Sequence, residues 1–163
     1  MKYGCITGSH KSKEYPVAAS QLFNRSAGGA FVIMNASGHI QLALSATATI
    51  FGFAIVPLGL AQVPGSSTSA IWQSSATAGA DRLPVITNKD ALFLLKASVA
   101  PTQSQLGDAV DLIGVNDGTV QQINPAAGAT DVVIINALGS DTQYGGVSTD
   151  VVVKMNPAKL QAD

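Results

Sequence analysis

Short apolar runs separated by turn residues make up most of this chain. Residues 31–34 are continuously apolar, and residues 39–44 alternate between apolar and polar side chains. A period of two is typical of a β-strand with one buried face, so Leu44 is expected on the same face as Ile40. The segment between the two runs, residues 35–38, ends on a glycine that suits a tight turn. Together these features predict a β-hairpin.

Comparable runs recur along the rest of the chain. Gly52 lies inside an apolar run and indicates a bulge or a close approach of two backbones. Asp117-Gly118, preceded by Asn116, is a strong hairpin turn signal. About ten short strands and no capped helical repeat predict an all-β fold, either a compact β-barrel or a sandwich. Further strands are predicted at 49–58, 70–72, 83–86, 92–95, 106–112, 119–123, 131–138 and 147–155.

The first 28 residues differ from the remainder. They hold four of the nine Lys and Arg residues and show no sustained period. This predicts an extended N-terminal arm at 1–28, followed by a β-domain at 29–163. Two interpretations of the arm stay open: a frayed terminus, or a segment that orders by lying on a neighbouring subunit. Its isolated apolar anchors are Tyr3, Tyr15, Leu22 and Phe23.

Composition narrows the expected partners. Hydrophobic residues make up 47% of the chain and charged residues 12%, with a formal net charge of -1. The charged fraction is about half the usual value, which favours a surface hidden in an assembly. No Lys or Arg stripe is present to neutralise phosphates, so no direct nucleic-acid binding is expected.

The longest apolar run, residues 50–61, is too short to span a bilayer, and residues 1–20 lack a secretory signal. No membrane partner and a cytoplasmic site of production are therefore expected.

Chemistry-bearing residues are sparse and separated. His10 and His39 have no second His or Cys at metal-ligand spacing, and Cys5 is the only cysteine, so neither a metal site nor an internal disulfide is expected. Asp108 and Asp111 are an odd number of positions apart, which puts them on opposite faces of a strand. No phosphate-binding loop or nucleophile elbow occurs. The sequence predicts a protein that is not an enzyme and that needs no cofactor.

Four segments follow one another in a recognisable order. A glycine, an apolar strand and an Asn-x-x-Gly hairpin span 29–40, and Thr-Ile-Phe-Gly-Phe-Ala follows at 49–54. Leu-Gly-x-x-x-Asp-Leu lies at 106–112, and Val-x-Val-Lys-Met-Asn ends the series at 151–156. This order resembles the capsid decoration (cement), or head-stabilising, proteins of tailed bacteriophages.

The resemblance implies a compact β-barrel or β-tulip-like fold on the outer surface of an icosahedral head, often near three-fold positions. It implies no catalysis. The expected partner is the major capsid protein, and the expected assembly is a homotrimer on the virion, formed in the host cytoplasm. The expected function is to stabilise the capsid by bridging its subunits. Candidate capsid or neighbour contacts are the apolar anchors of the arm together with Trp72.

Two alternatives remain at this point. One is another virion structural protein, such as a head fibre base, a tail tube or a minor capsid subunit. The other is a carbohydrate-binding module, which requires several exposed aromatic side chains on one face.

Overall fold

A computed structural model describes residues 4–6, 11–57, 70–126, 128–139 and 149–162. Within them the fold is all-β, with a closed five-stranded barrel and a half-barrel sheet, which confirms the predicted class. No helix there is long and apolar enough to cross a membrane. The strands are β1 (Gly4–Cys5), β2 (Lys13–Pro16), β3 (Leu22–Asn24), β4 (Gly29–Met34), β5 (Ile40–Leu42), β6 (Gly52–Ile55), β7 (Ile71–Gln73), β8 (Arg82–Ile86), β9 (Leu92–Ala97), β10 (Ala109–Ile113), β11 (Gln122–Asn124), β12 (Val133–Leu138) and β13 (Asp150–Met155).

The barrel runs in the order β9-β11-β10-β12-β13 and closes where β13 pairs with β9. β9 and β11 are parallel, whereas the other neighbouring strands of the barrel are antiparallel. Alternate side chains point inward because successive residues of a strand face opposite sides. The barrel interior is therefore filled by branched and aromatic residues such as Phe93, Leu95, Val110, Ile135 and Val153.

The half-barrel runs in the order β2-β8-β6-β4-β5. Its two ends meet at an isolated parallel bridge between Val17 and Ile40, where the Ala18 N–H donates to the Ile40 carbonyl at 2.8 Å. A separate ribbon, β3 paired with β7, covers one face of this sheet and buries Phe23 and Trp72 in its core. The central strands β4 and β6 are thus buried on both faces.

Three phenylalanines join the half-barrel to the barrel. The rings of Phe31 on β4 and Phe53 on β6 lie 5.1 and 4.7 Å from the ring of Phe93 on β9. Close packing of β6 on β8 requires Gly52, since a Cβ there would lie 2.5 Å from the carbonyl oxygen of Ile86. The close backbone approach predicted at Gly52 is confirmed.

Side-chain amides complete the hydrogen bonding of β4. The Phe31 N–H donates to Gln121 Oε1 at 2.7 Å, and Gln121 Nε2 donates to the carbonyls of Phe31 and Ala43 at 3.1 and 2.8 Å. Further along the strand, the Met34 N–H donates to Gln161 Oε1 at 2.7 Å. Each amide bonds to β4 beyond the end of a paired strand: Gln121 at Phe31, past the end of β5, and Gln161 at Met34, past the start of β6.

The described part of residues 1–28 is built into the fold and is not a separate arm. β1 pairs with β9, β2 with β8 and β3 with β7, so each short segment has a partner far away in sequence. Strands of two to four residues are too short to show a period, which is why the sequence suggested an unstructured extension. The predicted boundary at residue 29 coincides with the start of β4, after a turn that ends at Gly28 with φ of 72°.

The predicted hairpin at 31–44 is confirmed, because β4 and β5 pair antiparallel around the turn at Gly38. The alternation fails at its end: β5 stops at Leu42, and Leu44 is 42% exposed. The strand predicted at 106–112 begins only at Ala109, which leaves Leu106 in the preceding loop. Some predicted features lie outside the described residues. They are residue 58 of the strand predicted at 49–58, residues 147–148 of the strand predicted at 147–155, Tyr3 and His10.

Replacing Gln121 by leucine tests the amide that joins the two sheets. The change keeps the side chain's size but leaves the buried Phe31 N–H without its acceptor and removes a donor from two carbonyls. We expect a loss of about 2 kcal/mol in the free energy of unfolding, measured by urea denaturation. The matched control is Gln73→Leu on an exposed position of β7. Equal denaturation midpoints for the two variants would contradict this role.

Candidate interaction surface

Three of the five predicted contact residues are buried. Tyr15 packs edge-on against Phe51, with ring centroids 4.8 Å apart, and Phe23 lies 5.7 Å from Trp72. Both pairs belong to the core of the half-barrel. These side chains are not surface contacts in the folded chain, and the prediction that they meet a capsid or a neighbour is corrected accordingly.

Leu22 is half-buried and lies where the β3–β7 ribbon meets the loop between β10 and β11. Its N–H donates to Asn116 Oδ1 at 2.7 Å, and Asn116 Nδ2 donates to the Ser20 carbonyl at 3.3 Å. The loop that connects β10 to β11 is therefore bonded to the first residue of β3 and to Ser20 just before that strand. Tyr3, the last of the five predicted contacts, lies outside the described residues.

Asp111 is the centre of a dense polar cluster. Its carboxylate accepts hydrogen bonds from the N–H groups of Ala129, Thr130 and Asp131 at 3.1, 2.8 and 2.7 Å, and from the Thr130 hydroxyl at 2.6 Å. Partial burial raises the pKa of Asp111, but these donors favour the charged form and lower the pKa below its usual value overall. The cluster fixes the loop before β12, where Asp131 has a φ of 52°.

This arrangement favours a structural role for Asp111 over a catalytic one. Both carboxylate oxygens already accept bonds from the chain, and Asp108 lies in a turn where its backbone bonds to Gln105 and Ile135. His39 packs over Gly79, where an added Cβ would lie 3.0 Å from Nε2. Among the described residues, no three His, Cys, Asp or Glu side chains come together to hold a metal ion.

Exposed apolar side chains occur in loops near both ends of strand β10. Leu44, in the loop that follows β5, is 42% exposed, and Val115, beyond the end of β10, is 51% exposed. At the other end, in the loop that leads from β9 to β10, Val99 is 57% exposed and Leu106 37%. We call the first pair, with its loops 44–49 and 114–119, the Leu44–Val115 face, and the second pair the Val99–Leu106 end.

The Leu44–Val115 face is held rigidly by hydrogen bonds between its two loops. The Ser45 N–H donates to the Gly114 carbonyl, and the Gly114 N–H donates to Ser45 Oγ, each at 3.1 Å. The Thr47 hydroxyl accepts from the Leu44 N–H at 2.8 Å and closes the turn. A side chain at Gly114 would come within 2.7 Å of the Ala43 carbonyl oxygen, so the glycine permits this close contact.

The loops that carry the two apolar pairs contain few charged residues, and those they contain are acidic. The loops of the Leu44–Val115 face contain no Lys or Arg and one acidic residue, Asp117. The Thr119 N–H donates to this exposed carboxylate at 2.8 Å and lowers its pKa, so Asp117 is negatively charged at neutral pH. The loop at 98–108 likewise contains no basic residue and a single acid, Asp108.

Comparison with known proteins adds no relative. No family model matches the chain, and neither the curated proteins nor the solved structures include a match.

The sequence pattern missed both apolar pairs. Leu44 continues an alternating run and Leu106 begins one, so both were expected inside. Turn-forming residues next to these leucines could have indicated their exposure: Ser45 and Thr47 follow Leu44, and Gly107 follows Leu106. Such residues favour turns and indicate that a strand has ended.

Replacing Asp111 by asparagine tests the polar cluster. Because folding lowers the pKa of Asp111, its carboxylate stabilises the fold above the usual value of 3.8, and this contribution disappears as the pH falls through the folded value. We expect the variant to lose about 2 kcal/mol of unfolding free energy at pH 7, with the difference shrinking below pH about 4. Urea denaturation across this pH range measures it. Asp90→Asn, in an exposed turn, is the control, and a difference independent of pH would contradict the role of the charge.

Proposed function

We propose that this chain is a structural protein that decorates and stabilises the icosahedral capsid of a tailed bacteriophage by bridging major capsid protein subunits. The observation that carries the proposal is the presence of exposed apolar side chains in two separate places, Leu44 with Val115 in the loops joined by Ser45 and Gly114, and Val99 with Leu106 in the loop between β9 and β10. A bridging protein needs two separate contact surfaces on a rigid body. The order of sequence motifs described above adds independent support.

The electrostatic character of the chain is consistent with this role. With 12% charged residues, little charge has to be desolvated when broad surfaces meet. A protein that binds only the assembled shell stabilises it by about 2.7 kcal/mol per site when its free concentration is 100 times the dissociation constant. Assembly as a homotrimer near three-fold positions multiplies such contacts through avidity.

The carbohydrate-binding alternative finds less support. In the described residues the five phenylalanines, Trp72 and Tyr15 are all buried, so none of them offers an exposed platform for stacking on a sugar. Another virion role, such as a minor capsid subunit, uses the same two surfaces and differs in its location on the particle.

The experiment is to mix the purified chain with empty heads assembled from the major capsid protein of the same genome. We expect co-sedimentation that saturates, density on the outer surface in electron micrographs near three-fold positions, and a higher melting temperature of the heads. The variant V99S/L106S, altered at one end, should still bind but raise the melting temperature less, because a copy held at one surface does not bridge subunits.

Two results would overturn the proposal. One is the absence of co-sedimentation at saturating protein concentration. The other is density at the tail or inside the head, which would favour a different virion role.

A further inference from the structure

We infer that the loop at residues 128–131 is a binding site for a small carboxylate, and that Asp111 is a ligand which the chain itself places in that site. When the carboxyl group of Asp111 is removed, the loop binds a free monocarboxylate such as formate. The inference concerns the isolated chain and does not depend on the proposed function.

The first argument is the direction of the polar groups in the loop. Three consecutive N–H groups, those of Ala129, Thr130 and Asp131, donate to the Asp111 carboxylate at 3.1, 2.8 and 2.7 Å, and the Thr130 hydroxyl donates to it at 2.6 Å. Successive N–H groups that converge on one point form a nest, which is an arrangement of the main chain that binds anions. Asp131, with a φ of 52°, supplies the left-handed residue that such a nest contains.

The second argument is the space that the loop leaves at Gly128. A Cβ built on Gly128 would overlap the carboxyl group of Asp111, whose Cγ and two oxygens are the nearest atoms to it. The carboxyl group therefore lies directly against the main chain of Gly128, in a place that any larger residue would fill with its own side chain. The loop thus supplies both the donors and the space for one carboxyl group.

The third argument selects the chemistry of the ligand. Residues 128–131 include no Lys or Arg and one acid, Asp131, so the loop attracts an anion through its N–H and O–H donors alone. A doubly charged phosphate gains no cation there and meets the negative charge of Asp131. A planar carboxylate reproduces the group that the site already holds, and hydrogen bonds to a charged acceptor are the strong ones. Formate is the smallest ligand of this class.

Addition of formate to the Asp111→Ala variant tests the inference. Alanine keeps the Cβ and leaves the place of the carboxyl group empty. A ligand that binds only the folded chain raises the folding equilibrium constant by the factor 1 + [L]/Kd, so about 0.1 M sodium formate should raise it about 10-fold for a Kd on the order of 10 mM. Urea denaturation measures this constant, and sodium chloride at the same concentration is the reference for ionic strength.

Gly128→Ala supplies the matched control, since its methyl group takes the place of the anion. The main chain of Gly128 is not left-handed, so alanine adds no strain of its own there. In the wild type the change should lower the folding equilibrium constant about 30-fold, because a filled site is overpacked. In the Asp111→Ala background it should lower the constant by less than about 3-fold, because the methyl group then has room. The double variant D111A/G128A should not respond to formate.

Nuclear magnetic resonance locates the bound formate. Titration of isotope-labelled Asp111→Ala protein should shift the amide signals of Ala129, Thr130 and Asp131 along one saturating curve, with the same midpoint that denaturation gives. Asp111→Asn, whose side chain still fills the site, should show no such shifts at the same formate concentrations.

Three results would overturn the inference. One is equal stabilisation of Asp111→Ala, Asp111→Asn and D111A/G128A, since formate would then act as a general salt. Another is an Asp111→Ala variant whose stability and amide signals do not respond to formate, because the loop would then hold no carboxylate but that of Asp111. If Asp111→Ala is unfolded in buffer, its refolding by formate becomes the measurement, and a failure to refold is the third.

Discussion

The structure depends on how β4 is joined to the barrel, since β4 belongs to the half-barrel and its Phe31 faces the other sheet. A buried peptide group needs hydrogen-bond partners, and leaving one unpaired costs on the order of 1–3 kcal/mol. The Gln121 amide supplies one acceptor and two donor bonds at this position, as a neighbouring strand would. At the same place Phe31 packs edge-on against Phe93 and Phe53 stacks on it, so the ring contacts and the Gln121 bonds join the two sheets together.

Amide side chains serve the same purpose at other edges. Gln161 bonds to both backbone groups of Met34, Gln21 accepts from the Leu42 N–H, and Asn156 donates to the Asp131 carbonyl. A neutral amide is buried at far lower cost than a charged group, provided that its hydrogen bonds are made. This accounts for a stable interior in a chain with few charges. Exposed ion pairs such as Glu14 with Arg82, at 3.9 Å, contribute little by comparison.

Local signals in the sequence predicted the elements that depend on local structure. The hairpin around Gly38, the turn at Asp117-Gly118 and the close approach at Gly52 were all visible as short patterns. The location of the N-terminal segments was not visible in the sequence, because Tyr15 is buried by pairing opposite Leu83, which is 68 positions away. An isolated tyrosine among polar residues looks like a surface anchor until its distant strand partner is known. Tyr15 and Phe23 were expected at the surface for this reason.

The exposed face follows from the same junction that closes the core. After β5 the chain turns so that the Ala43 carbonyl accepts from Gln121 and Ser45 reaches Gly114, and this turn directs Leu44 outward instead of into the next inward position. Leu44 extends from the half-barrel and Val115 from the barrel, so a partner seated on both contacts both sheets at once. Such a partner adds its binding free energy to the bonds that already hold the sheets together. A partner bound at this face would therefore stabilise the fold of this chain.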